Sequence, residues 1–193
     1  MRKILLIFIL TSLVMSATSC YGFAVIRKDG PYEGRVIDAD TGEPIEGVVV
    51  LGKWSTEIIT PGGATHNFYD AQETVTDKNG EFSIEGLGLK ILSNVIPMDV
   101  LIFKAGYEYE SGSWSSLKKY AKKIKWEGNK AIIPLRKLTM EERRKRRPPI
   151  PPTEAPLKKI RLMLEEINKN EIELGAEPYD IWGGEKVYEK NAR

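Results

Sequence analysis

Glu73-Thr74-Val75-Thr76, Asp77-Lys78-Asn79-Gly80 and Glu81-Phe82-Ser83-Ile84 follow one another without a break. The outer quartets alternate large and polar side chains at period two, the spacing of a half-buried strand. Between them Asn79-Gly80 tolerates positive φ at both residues, so the stretch predicts a β-hairpin. The segments on either side then decide whether that hairpin belongs to an all-β domain.

Upstream, Tyr32-Glu33-Gly34-Arg35-Val36-Ile37-Asp38 alternates in the same way, and Asp40-Thr41-Gly42 supplies turn chemistry after it. Pro44 breaks any extension, Ile45 is expected to pack inward, and Val48-Val49-Val50-Leu51 is a β-branched run too short for a helix. A continuous apolar run of that length suits a buried strand. Downstream, Asp99-Val100-Leu101-Ile102-Phe103-Lys104 and Lys130-Ala131-Ile132-Ile133-Pro134-Leu135 read as two more strands. Pro134 has no N–H for a ladder, which predicts a sheet edge for the last one. Residues 32–138 thus read as one β-sandwich, and the 17 glycines and 11 prolines of the chain suit short strands with many turns.

Two stretches interrupt the pattern. Residues 55–72 form a long connection between Trp54 and Glu73, holding a Pro-Gly-Gly turn, Tyr69 and His66, the chain's sole histidine. Long connections in compact domains tend to carry function, which makes this a candidate binding loop; the alternative is a partial strand covering a sheet edge. Ser111 to Lys125 places Leu117, Tyr120, Ala121 and Ile124 at helical spacing, predicting a short helix. Trp54, Trp114 and Trp126, with His66 and Tyr69, are the candidate ligand-binding residues, because aromatic rings stack on sugars. Tyr107, Tyr109 and Tyr120 belong to the same set of aromatics, and the competing reading puts Trp54 and Tyr107 in the core with the others packed under the loop.

Gly34-Arg35-Val36-Ile37-Asp38, Thr41-Gly42-Glu43-Pro44-Ile45-Glu46-Gly47-Val48, Thr76-Asp77-Lys78-Asn79-Gly80-Glu81-Phe82 and Lys104-Ala105-Gly106-Tyr107 together resemble the carboxypeptidase regulatory-like family. The resemblance covers about half of the chain, in order. It implies an all-β, seven-stranded, Ig-like or transthyretin-like sandwich, here with a C-terminal helical extension, and a module that packs or binds rather than catalyses. The residues agree with the last point. Zinc chemistry needs several converging ligands and a hydrolytic triad needs a base beside its nucleophile, whereas His66 stands by itself. The expectation is no enzyme, no metal and no cofactor.

The N-terminus sets the compartment. Arg2 and Lys3 precede an apolar run from Ile4 to Met15, then the small residues Ser16-Ala17-Thr18-Ser19 and the sole cysteine, Cys20. The run is too short to span a bilayer and fits a secretory leader. Ala17-Thr18-Ser19-Cys20 resembles the bacterial lipobox, which implies a leader at 1–19, acylation of Cys20, and a tether at 20–31. The alternative is ordinary cleavage near Ser19 or after Ala24. By the same resemblance Tyr21 behind the cysteine favours the outer membrane. A formal net charge of +2 gives no global attraction to nucleic acid.

At the other end, Thr139 and Glu142 have capping-box spacing. Arg143, Arg144, Lys145, Arg146 and Arg147 form a basic cluster, a candidate contact with a membrane or partner, or a solvated helix end. Pro148-Pro149-Ile150-Pro151-Pro152 predicts a semi-rigid spacer within a linker at 139–156. In the amphipathic helix and tail at 157–193, Leu157, Ile160, Leu164, Ile167 and Leu174 mark one face that Pro156 starts and Gly175 stops. That face packs on the sandwich, on a second copy or on a partner. The expected function is that of an envelope lipoprotein held by its lipid and contacting another envelope protein through a structural or interaction module. The alternative is a carbohydrate-binding module using the surface aromatics and the 55–72 loop.

Overall fold

A computed structural model describes residues 26–91 and 93–178, so the leader, Cys20 and the tail beyond 178 lie outside the described residues. The chain is mostly β. Ten described strands form three sheets where seven strands were expected. The first sheet has the order β5 (Glu81–Ile84), β2 (Tyr32–Asp38), β10 (Lys130–Leu135) and β9 (Lys125–Glu127). The second runs β4 (Gly63–Val75), β3 (Val49–Thr60), β7 (Asp99–Phe103) and β8 (Glu110–Ser113). A two-stranded ribbon pairs β1 (Ile26–Asp29) with β6 (Gly88–Ile91).

Alternation along the strands sends one set of side chains between the two four-stranded sheets. Val36, Phe82, Ile133 and Leu135 come from the first sheet and Val50, Trp54, Val100 and Ile102 from the second, all buried in one core with Met98. Tyr32, Phe82, Trp114 and Trp126 tile one end of it: Trp114 meets Tyr32 edge-on at 5.6 Å, Phe82 at 6.3 Å and Trp126 at 5.4 Å. Such edge-to-face pairs contribute beyond their buried area.

The expected hairpin at 73–84 is corrected. Its turn is present, but it joins β4 of one sheet to β5 of the other. The Asp77 carboxylate accepts the amides of Asn79 and Glu81, which holds it below its usual range, and Gly80 sits at φ 74°. A Cβ on Gly80 would strike the Val36 carbonyl oxygen, because the turn is bonded down onto β2 through Val36 N–H to the Gly80 carbonyl. Thr76 steers the crossing: its hydroxyl donates to the Ile45 carbonyl and accepts from the Val48 amide, both buried. Local turn chemistry was read correctly, while the pairing partner depends on where the chain is sent next.

For residues 55–72 the structure takes the second of the two readings, a strand at a sheet edge. The stretch is the distal half of a hairpin, β3 and β4, closed at Thr60 and Gly63 around Pro61-Gly62, with a register shift between Trp54 and Ser55. Pro134 does not mark an edge along the whole of β10, since β2 pairs on one side and β9 on the other. However, β9 reaches only Lys130–Ile132, so at Pro134 the strand has β2 as its neighbour and no ladder bond is lost. The helix expected at 111–125 shortens to α1, Trp114–Tyr120, because Ser111–Ser113 belong to β8 and Lys125 opens β9.

The C-terminal region is part of the body, and the proline segment expected as a spacer is packed on it. Helix α2 (Met140–Lys145) starts with the expected capping box. The prolines then cross the outer face of the second sheet, where Pro149 is buried, and a 3₁₀ turn (Leu157–Lys159) leads into α3 (Arg161–Glu173). The outward side chains Val49, Leu51 and Phe103 pack against Ala155, Ile160, Met163, Leu164 and Ile167. Of the three partners open to the helix, it takes its own domain.

Polar contacts fix that docking. Helix α3 has no side-chain cap of its own at Ile160, and Glu73 of β4 supplies one by accepting the Leu162 and Met163 amides at 3.0 and 2.7 Å. Burial nevertheless raises the Glu73 carboxyl above its usual range. At the far end Arg143 donates to Asn170 Oδ1 at 2.7 Å and to Glu173 at 2.7 Å. Gly175, at φ 77°, stops the helix as expected.

Two substitutions test this account by urea unfolding. Gly80→Ala should cost about 1–3 kcal/mol, through the strained positive φ and the clash with β2. Ile167→Ala should cost about 2–5 kcal/mol, the range for a buried aliphatic truncation, whereas a helix merely tethered beside the sandwich would lose almost nothing.

Candidate functional site

The outer face of the second sheet is covered by α3 over only part of its length. Towards the other end, register places Leu51 opposite Leu101, Lys53 opposite Asp99, and Leu101 opposite Ser111, so these side chains share one face. The segment 147–154 passes over them without sealing the surface. A groove of about 700 Å³ remains, with Leu51 and Leu101 in its floor, Pro148 to Pro152 as one wall, and Tyr109, Ser111, Arg147 and Glu154 at its rim.

The charges in the groove are arranged. Lys53 Nζ lies 3.4 Å from Glu154 Oε1, which pins the proline segment to β3. Asp99 is partly buried, and loss of water raises its carboxyl above the usual range although Lys53 and His66 pull it down. The site is therefore an apolar trough with a lysine, a desolvated carboxyl, a phenol and an arginine around it. It offers shape, apolar contact and a few hydrogen-bonding groups, the ordinary composition of a binding site.

Most of the residues singled out by sequence lie elsewhere. Trp54 is fully buried, and its indole N–H donates to Asp29 Oδ1 at 2.9 Å. Trp114 is buried in the aromatic tiling and Trp126 half-buried beside it, with the Lys118 ammonium 5.0 Å from its ring centre. Trp54 and Trp114 are corrected as ligand platforms, since a ring inside the core has no face for a sugar. His66 and Tyr69 are on β4. The imidazole is exposed, 3.8 Å from Glu57, and Tyr69 lies under the Lys90 ammonium at 5.1 Å.

The basic cluster is likewise divided. Arg143 is buried and committed to α3, so it is corrected as a surface contact. Lys145 pairs with Glu141 at 2.6 Å and Arg146 with Glu108 at 3.2 Å. Arg144 is exposed, and Arg147 reaches the groove rim. No group of three His, Cys, Asp or Glu is placed to hold a metal ion among the described residues.

Tyr109 was among the aromatics singled out by sequence, whereas Lys53 and Asp99 were missed, because they come from separate strands that only the sheet brings together. Sequence reasoning also missed Asp29, assigned to a tether at 20–31. Asp29 ends β1 and is buried, accepting from the Trp54 indole, from the Tyr32 hydroxyl at 2.9 Å and from Arg27 at 3.2 Å. Burial and the adjacent carboxylate push the Tyr32 phenol well above its usual range. A lone Asp before Gly-Pro reads as turn chemistry, and nothing local marks it as a core acceptor.

The chain matches no family model, and neither a curated protein nor a solved structure shows significant similarity to it.

The Asp99 carboxyl gives a signed test. A group raised in the folded state contributes most below its unfolded pKa, and that contribution is lost as pH rises through the folded value. Asp99→Asn removes the loss. Its unfolding free energy relative to the unsubstituted protein should rise between pH 3 and pH 7, measured by urea titration at each pH; a flat difference would mean the carboxyl is not desolvated.

Proposed function

We propose that this protein is a lipid-anchored component of the bacterial cell envelope whose two-sheet body, of the transthyretin-like kind found in carboxypeptidase regulatory-like modules, is a non-catalytic interaction module. It is held to the outer membrane through Cys20 and receives an extended segment of another envelope protein in the groove between β3, β7, β8 and the proline segment. The lipobox-like Ala17-Thr18-Ser19-Cys20 supports the anchor.

The observation that carries the interaction reading is the groove itself. Its apolar floor and prolines suit side chains of an extended peptide. Lys53, Asp99, Tyr109 and Arg147 supply polar contacts along its length. Grooves with apolar contact and a few oriented polar groups recognise extended segments in many peptide-binding modules. With Trp54 and Trp114 inside the core, a sugar platform of tryptophans has no comparable support.

The test places a photoactivatable phenylalanine at Tyr109 in the full-length protein, in its native envelope. A discrete adduct with one envelope protein is expected, reduced by Arg147→Glu and absent when the probe replaces exposed Ile172 on α3. An adduct with glycan, or identical patterns from the two positions, would overturn the peptide reading. Intact mass and membrane fractionation of Cys20→Ser test the anchor separately.

A further inference from the structure

The ribbon of β1 and β6 has an outward face with an unusual composition. Register places Ile26 opposite Ile91 and Lys28 opposite Leu89, so alternation puts these four on one side. The other side carries Asp29, which is turned into the core. On the outward side Ile26 is 66% exposed, Leu89 64% and Ile91 59%, with exposed Lys28 among them. Three large aliphatic residues grouped on four-residue strands form a patch, and grouped exposed apolar residues mark contact surfaces.

The patch lies close in the chain to the proposed anchor. Ile26 is six residues beyond Cys20. Six residues span at most about 22 Å even when fully extended. If Cys20 carries the acyl anchor, β1 is held within that distance of the headgroups. Its partner strand β6 is held there with it. Lys28, the cation of the outward face, complements an anionic lipid surface, while the ribbon's single acid, Asp29, is internal.

We propose that the β1–β6 ribbon is a second membrane contact, laying Ile26, Leu89 and Ile91 into the interfacial region beside the acyl anchor. The ribbon is clamped to the core through Asp29, Tyr32 and Trp54, so seating it fixes the orientation of the whole body. The far end of the second sheet, where Val49 pairs with Phe103 and α3 ends near Arg143, then faces away from the bilayer. This rests on the lipid-anchor reading.

The experiment uses full-length acylated protein in vesicles of phosphatidylethanolamine and phosphatidylglycerol. The anchor occupies the sole native thiol, so Ile91→Cys and, as a control of matching exposure on α3, Ile172→Cys each add one reactive site. Reaction of the Ile91→Cys thiol with a water-soluble maleimide should slow about tenfold on reconstitution, as for burial of one aliphatic side chain. The Ile172→Cys thiol should be unaffected, and nitroxide lipids should quench a fluorophore at position 91 but not at 172. Equal accessibility at the two positions, with the acyl mass verified, overturns the ribbon contact and leaves the anchor standing. Protection at 91 in detergent that is lost on diluting the protein at constant detergent assigns the patch to a second copy and also overturns it. Absence of acyl mass removes the anchor reading and this contact together.

Discussion

Strand β3 is apolar on both faces, and this constraint shapes the molecule. Val48-Val49-Val50-Leu51 alternates across the sheet like any strand, so Val50 reaches the sandwich core while Val49 and Leu51 point the other way. A single partner sheet can bury only one of those faces. The second face requires a further layer, and the chain supplies it by returning through the proline segment into α3. Burial of these aliphatic side chains, at about 1.5–3 kcal/mol each, offsets part of the cost of ordering a 13-residue helix that packing, not propensity, holds in place.

The polar contacts around that layer act as fasteners. Glu73 closes the N-terminus of α3 from a neighbouring strand, Glu166 accepts the Ala105 amide at 2.8 Å, and Arg143 bonds Asn170 and Glu173. None of these pairs is close in sequence. They make the C-terminal region specific in position, and they leave the groove where the cover runs out. At the opposite end Asp29 does comparable work, tying the ribbon to the aromatic core through two donors that would otherwise be buried without partners.

The functional reading follows from this division. One end of the second sheet is closed by α3, the middle carries the groove with Lys53 and Asp99, and the ribbon stands near the N-terminus with its aliphatic face outward. Under the proposed anchoring, the clamped ribbon would set the direction in which the groove faces relative to the lipid surface.

Much of this was legible in the residues. Strand positions at 32–38, 81–84, 99–103 and 130–135, the capping box at Thr139 and Glu142, and the helix between Pro156 and Gly175 all follow from period, turn chemistry and caps. Those signals are local, acting within a few residues. What the tertiary structure alone decided is which elements meet. Asn79-Gly80 connects two sheets instead of closing a hairpin, Trp54 and Trp114 are core, Arg143 is internal, and Lys53, Asp99 and Tyr109 share one groove. Pairing and burial depend on contacts between residues tens of positions apart, whose strength comes from surface removed from water by the assembled fold. No single segment carries that information, because it exists only once both faces of β3 have been covered.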